Sequence, residues 1–448
     1  MDIKFYLLSK KPRRSSRSSV KEKNVHTVAK KVESFHSCPL GYFDAIPIEL
    51  RFSIFQFLTI EDLSILTIVS KTMRNLIEGY RVTRFSGPHC MSYRDLHLRL
   101  SLEQQTEMLS KYHKLGLLVK RSTCLYATKD RLKIINEFLT RIACSNSDNC
   151  KDPSRCIALL CFGKFLHTVI AGWDDSECQR AFDTICQHMC ITKHVKTVVS
   201  SKPGSHGHLE GVVRQFFRWI FLDQCTTIPD KAFWISRILK PWPIVFQARL
   251  LFIIYSGNFT SGEIQWHEMS ETTPVDTEHS SIFFSSISSI LQLLHLHSTE
   301  WTSDEIISII DEMTSTPEDW LVENIAGLLL ACGECLATKL LASKAINGKY
   351  VELASIIASL CLVCVKHNHS INQVMTMMDC IIAVIENPRE KLVFLNRILD
   401  TFKELVLDTH EFTDSDDAND NEFFFHVSAL TEFTRKLAHL AYKHILPH

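Results

Sequence analysis

The side chains most able to do chemistry in this 448-residue chain are its thiols and imidazoles. Cys144, Cys150, Cys156 and Cys161 follow one another at intervals of five or six, and Cys186, Cys190 and His194 step by four. Thiolates and an imidazole around one centre would be zinc chemistry. Structural zinc sites take their ligands in close pairs, however, Cys-x2-Cys above all, and neither run contains one. Cys361 and Cys364 have that spacing, inside an apolar helical run with no second pair nearby. The sixteen Cys are therefore expected to act as small hydrophobic residues, with no metal ligand and no cofactor assigned.

Other reactive patterns fare no better. Lys202-Pro203-Gly204, followed by His206-Gly207-His208, suggests a phosphate cradle but lacks the Gly-x4-Gly-Lys-Ser/Thr frame, and reads as a surface turn. Neither Gly-x-Ser-x-Gly nor His-Glu-x-x-His occurs. No catalytic residue is assigned, and the chain is not expected to be an enzyme. Lys240-Pro241-Trp242-Pro243 holds an aromatic ring in an extended corner, either as an anchor for a partner or as a wedge between two helices, the wedge being favoured.

The elements that must position these residues are helices. Fourteen Gly and thirteen Pro are few for this length, whereas sandwiches and propellers need turn residues every few positions. Apolar residues recur at steps of three and four: Leu132, Ile135, Leu139 and Ile142 after Thr128, and Cys178, Phe182, Ile185 and Met189 after Ser176. Thr302 with Glu305 marks a capping box, and Thr316-Pro317-Glu318-Asp319 reads as another helix start. Asn387-Pro388 opens a helix with Leu392, Leu395, Ile398, Phe402 and Leu405. An acidic break from Asp414 to Glu422 precedes a last helix from about Phe423. The expected fold class is all-α: a short N-terminal helical domain, then a large irregular, α-solenoid-like region of more than a dozen helices. No TPR, ankyrin, WD40 or leucine-rich period is present.

Bulk properties narrow the function class. A formal net charge of -1 makes no electrostatic case for nucleic acid. The longest uncharged run, Ser280 to Thr299, is too rich in Ser, Gln and His to span a membrane. Met1-Asp2-Ile3-Lys4 lacks the apolar stretch of a secretory signal, so the expectation is an intracellular protein with reduced thiols. Residues from about 9 to 39 are basic and Ser-rich and are expected to be disordered. Their Lys10-Lys11-Pro12-Arg13-Arg14 block weakly favours the nucleus over the cytoplasm.

One segment carries more positional detail than the rest. Pro47 and Glu49 suit a helix start, Leu50, Ile54 and Leu58 fall four apart, and Thr59 with Asp62 has capping-box spacing. Leu63, Leu66, Val69, Met73 and Leu76 follow at three and four. About forty residues cannot bury all of these among themselves, so some of this apolar surface calls for a partner.

Over residues 42–82 the segment resembles the F-box family, through Ile46-Pro47-Ile48-Glu49-Leu50, Ile54, Leu58, Asp62-Leu63 and Val69-Ser70-Lys71. It departs in Ile46, where Leu is usual, and in Met73, where Trp is frequent. Later phrases widen the resemblance to one single-F-box protein along most of the chain. They include Tyr112-His113-Lys114-Leu115-Gly116-Leu117-Leu118 and Ala342-Ser343-Lys344-Ala345-Ile346-Asn347-Gly348. Composition, periodicity and this resemblance together suggest three regions: a basic arm over 1–39, the F-box over 40–86, and a helical substrate- or partner-binding region over 87–448.

It also implies a substrate-recognition subunit of an SCF-type cullin–RING ubiquitin ligase. The F-box would bind the Skp adaptor and, through it, the cullin scaffold and RING subunit, and the helical region would bind a protein substrate. By position in the motif, Pro47, Leu50, Ile54, Leu58, Leu63 and Val69 are the expected adaptor contacts. The alternative is a non-catalytic helical scaffold whose F-box-like segment joins a complex without promoting ubiquitylation.

Overall fold

A computed structural model describes residues 39–81, 100–142, 156–256, 264–272, 278–412 and 417–444. The chain divides into two units, Met1–Arg51 and Phe52–His448. The basic block Lys10–Arg14 lies outside the described residues.

In the first unit, a 3-10 turn over Gly41–Ala45 leads into the start of α1 (Ile48–Phe55), whose residues from Phe52 on belong to the second. Arg51 ties turn and helix together: Nε donates to the Ile46 carbonyl at 2.6 Å and Nη2 to the Asp44 carbonyl at 2.8 Å. Its Nη1 pairs with the Asp44 carboxylate at 3.3 Å, and that carboxylate also accepts from Leu40 N at 2.9 Å.

In the second unit, α2 (Ile60–Val69) and α3 (Lys71–Arg81) pack on each other and on α4 (Leu102–Ser122). α4 in turn lies along α6 (Ala158–Ile170), after α5 (Thr128–Ile142). The approach is close because Gly116 has no side chain; a Cβ there would come within 2.7 Å of Thr168 Cβ. α7 (Asp175–His188), α8 (Ile191–Ser200) and α9 (Gly207–Gln215) follow, and α9 runs on into a π-helical turn over Phe216–Leu222. That turn is accommodated by Gly163 of α6, where any Cβ would overlap the Trp219 carbonyl oxygen. Its widened backbone leaves carbonyls to satisfy: Gln224 Nε2 donates to Trp219 O at 3.2 Å and Cys225 Sγ to Phe221 O at 3.1 Å.

From here the packing becomes regular. After α10 (Ile228–Leu239), α11 (Ile244–Tyr255) and the single turn α12 (Glu268–Glu271) come α13 (Glu278–His297), α14 (Ser303–Thr314), α15 (Val322–Cys332) and α16 (Glu334–Ile346). They are followed by α17 (Tyr350–Lys366), α18 (Asn372–Val384), α19 (Pro388–Phe412) and α20 (Asp417–His444). From α13 to α18, each helix packs on the helix two places further on. One layer is α13, α15, α17 and α19, begun by α10; the other is α14, α16, α18 and α20, begun by α11. This is a solenoid: no helix pair buries its apolar faces alone, and each is covered by the next. One buried apolar cluster runs from Tyr112 to Leu437, and the described residues contain no strand.

Three helix starts differ from expectation. α7 is capped by Asp174, not Ser176: Glu177 N donates to Asp174 Oδ1 at 2.8 Å, and Ser176 is already inside the helix. Thr316-Pro317-Glu318-Asp319 is a turn, and α15 begins only at Val322. The delay has a tertiary cause, since Trp320 is buried and Leu321 N and Asn324 Nδ2 both donate to the Met269 carbonyl. α20 begins at Asp417, within the supposed acidic break, where carboxylates suit a helix N-terminus.

Candidate protein-docking site

The F-box-like segment is built from two sets of apolar side chains, one buried and one left outside. In the first unit, Pro47, Ile48 and Leu50 are exposed, Leu50 at 56%. In the second, Phe52 and Phe55 turn inward onto Tyr80 of α3, with ring centroids 5.7 and 5.4 Å away. Ile54 stays exposed and Phe57 is 88% exposed, while Leu58 is half-buried.

α2 opens on the expected capping box. Asp62 N donates to Thr59 Oγ1 at 3.1 Å and Thr59 N to Asp62 Oδ2 at 3.0 Å. The Thr59 hydroxyl and backbone hydrogen bonds hold the Asp62 carboxyl below its ordinary range. One face of the helix, Leu63, Ser64 and Thr67, is buried. Arg121 Nη1 of α4 donates to Ser64 Oγ at 2.8 Å, and Lys114 of α4 pairs with Glu61 at 3.1 Å. The other face carries Ile65, Ile68 and Val69 at helical spacing, all more than half exposed.

Leu63 was expected among the adaptor contacts and is instead a core residue, 1% exposed. The sequence pattern had placed it on one stripe with Val69. Six residues at about 100° each leave the two about 240° apart, so when Leu63 points inward Val69 cannot. Ile65 and Ile68 of α2, and Phe57 before it, are exposed apolar residues that the motif positions did not single out. The available signal was that α2 is apolar on both faces, which for a helix at a surface means two partners.

Of the thiols that suggested chemistry, Cys156, Cys161, Cys186, Cys361 and Cys364 are buried and Cys190 is exposed. Burial pushes Cys161, Cys225 and Cys332 up to about 12 and Cys178 and Cys364 to about 11, and it raises Cys186 and Cys361 as well. Cys144 and Cys150 lie outside the described residues. Among the described residues, no three His, Cys, Asp or Glu side chains are gathered as metal ligands would be. The Lys202-Pro203-Gly204 turn directs its Gly204 N–H at the chain's own buried Glu210, Oε1 at 2.9 Å, whose other oxygen accepts from Trp266 Nε1 at 2.9 Å. Trp242 is half-buried against the core, and its backbone N–H donates to the Leu239 carbonyl at 3.0 Å. Among the described residues, no helix is long and apolar enough to cross a membrane.

The pattern of one buried and one exposed apolar face falls where the F-box domain family model matches, residues 43–85, and the solenoid falls where the model "FBXO47, ARM repeats" matches, residues 189–442. Human F-box only protein 47 is 37% identical over 410 residues, 89% of each chain. The chain belongs to the F-box only protein 47 family. The mouse member is 37% identical over 387 residues, 86% of this chain and 84% of its own. No solved structure matches. Membership of this ARM-repeat family explains why no fixed period is legible: the repeat lies in the packing of alternate helices more than in residue identities.

Proposed function

We propose that this protein is the substrate-recognition subunit of an SCF-type ubiquitin ligase. Residues 40–86 bind the Skp adaptor and residues 87–448 bind the substrate. The observation that supports this reading most strongly is the set of apolar side chains left outside on the F-box helices while their neighbours fill the core. Exposed apolar groups of this density on a small helical segment mark a protein interface. Pro47, Leu50, Ile54, Leu58 and Val69 are proposed as adaptor contacts, joined by Phe57, Ile65 and Ile68. The chemistry of ubiquitin transfer belongs to the enzyme that the cullin and RING subunit recruit. This chain contributes proximity, raising the local concentration of substrate. The Lys10–Arg14 block is proposed to direct nuclear import; an unchanged nuclear fraction after its replacement by Ala would remove that assignment.

The test is co-purification of adaptor and cullin with the intact chain and with Leu50→Glu combined with Ile54→Glu. Each apolar side chain contributes on the order of 1.5–3 kcal/mol when buried, and about 1.4 kcal/mol is tenfold in affinity. The double variant is expected to bind adaptor roughly a hundredfold more weakly or worse. Unchanged recovery in a folded variant would show the assigned residues to be wrong. If the intact chain recovered neither partner, a scaffold role would replace the ligase role.

A further inference from the structure

Among the described residues four thiols are exposed, Cys124, Cys190, Cys335 and Cys380, and the F-box reading uses none of them. Cys335 is the one of the four whose sulfur meets an imidazole. Its Sγ lies 3.7 Å from His295 Nε2, within reach for a sulfur donor. The two residues belong to different helices, α16 and α13, and are brought together at the end of α15. There Gln292 Nε2 of α13 donates to the Ala331 and Cys332 carbonyls at 3.1 and 2.9 Å. Gly333, at φ +82, then turns the chain directly into α16, whose second residue is Cys335. His295 follows Gln292 by three positions on α13, on the same side of that helix, and so meets this first turn.

A cation completes the group. Lys339 follows Cys335 by four positions on α16, and its Nζ lies 3.5 Å from the same His295 Nε2. Donation to Ser303 Oγ at 2.9 Å, at the start of α14, holds the ammonium there. An ammonium only donates, so Nε2 is the ring nitrogen without a proton and can accept one from the thiol. Burial and the neighbouring Lys339 both hold the imidazole below its ordinary range, which keeps it neutral and basic. Negative charge developing on the sulfur is favoured by Lys339 and by the N-terminal end of α16. Glu334 beside it opposes this but is exposed, so water and salt screen it. Nucleophile, base and cation thus stand at one solvent-facing point, the surroundings in which a thiol reacts.

We infer that Cys335 is a covalent modification site, exchanging with small anionic disulfides such as glutathione disulfide to form a mixed disulfide. His295 Nε2 takes the thiol proton as the Cys335 sulfur attacks one sulfur of the reagent. The reagent's S–S bond breaks, a new one joins its nearer half to Cys335, and the departing thiolate takes the proton from His295. The disulfide is itself the oxidant, so the exchange balances with one thiol consumed and one released. The preference for an anionic reagent comes from Lys339, whose ammonium attracts the reagent's carboxylates.

The experiment treats the reduced full chain with glutathione disulfide, or with the neutral bis(hydroxyethyl) disulfide, and quenches with acid. Peptide mass mapping then reads the rate at each cysteine. Cys335 should be modified about tenfold faster or more than Cys124, Cys190 and Cys380, the low side of general-base catalysis because the group is solvated. His295→Asn should bring Cys335 down to their rate with both reagents. Lys339→Met should slow glutathione disulfide by about fivefold at low salt and the neutral disulfide much less. Circular dichroism checks that both variants are folded, and the rates at the other three thiols should be unchanged in them. The inference is overturned if Cys335 reacts no faster than the other three, or if folded His295→Asn leaves its rate unaltered. Equal slowing of both reagents by Lys339→Met would overturn the choice of an anionic disulfide.

Discussion

Arg121 on α4 reaches across to α2 and donates through Nη1 to Ser64 Oγ at 2.8 Å, a bond between residues 57 positions apart. With Lys114–Glu61 beside it, this contact ties α2 to α4 along the face that buries Leu63, Ser64 and Thr67. The interaction is partly buried and charge-assisted, a class that contributes about 1.5–3 kcal/mol. Arg121→Ala should therefore lower stability by roughly 1.5–2 kcal/mol in urea unfolding, the lower part of that range because the guanidinium keeps access to water. Adaptor recovery by the folded variant should be unchanged, since Ile65, Ile68 and Val69 lie on the other face. A folded variant that lost the adaptor would assign Arg121 to the docking surface itself.

Leu63 and Val69 should behave oppositely despite sharing a helix. Leu63→Ala opens a cavity in the core and should cost about 2–4 kcal/mol, with adaptor affinity preserved in whatever fraction stays folded. Val69, at 67% exposure, should tolerate Val69→Glu with a stability change below about 0.5 kcal/mol while losing adaptor affinity by about tenfold or more. Paired unfolding and binding titrations on the two variants check this; equal binding losses would contradict the two-faced reading of α2.

Acid should weaken the fold through His167. Its ring sits 5.8 Å from that of Trp234, and Nε2 is buried with no partner among the described residues. Burial pulls its pKa from 6.5 down to about 4, with Asp230 acting weakly the other way. The folded pKa lies below the unfolded one, so between about pH 4 and about 6.5 the unfolded chain holds a proton that the folded chain does not. Stability is therefore lost as the pH falls through that window, by at most about 3 kcal/mol, at 1.36 kcal/mol per pKa unit. Urea unfolding at about pH 7 and about pH 5 measures the slope. His167→Phe should reduce it; an unaltered slope would assign the acid sensitivity to other groups.

Lys344 joins three helices of the solenoid, pairing with Asp311 of α14 at 2.9 Å and Glu352 of α17 at 2.5 Å. Burial alone would lower its pKa, but the hydrogen bonds to Glu352 and Asp311 outweigh it and the ammonium is held above its ordinary value. Lys344→Met should destabilise by about 2 kcal/mol, less than the about 3–5 of a fully buried pair, because both carboxylates remain partly solvated. Calorimetry on the variant tests it. A variant as stable as the parent would mean that burial of the Met offsets the lost pairs.

Local chemistry made much of this molecule legible from its residues. The capping boxes at Thr59–Asp62 and Thr302–Glu305 formed as their spacing implied, because a cap is satisfied within four residues and needs no distant partner. The all-α class followed from three-and-four periodicity for the same reason. The start of α15 did not follow, since Trp320, Leu321 and Asn324 answer to α12 and the Met269 carbonyl rather than to their own segment. On α2, periodicity alone supplied two apolar faces of similar strength, and the inward one is the face that meets α4, a helix distant in sequence, where Arg121 and Lys114 contact it. Gln292 of α13 likewise donates to two carbonyls at the end of α15, Ala331 and Cys332, a contact between residues about forty positions apart that no local pattern announces. Helices are decided by neighbours in the chain; which of their faces remain outside is decided by neighbours in space.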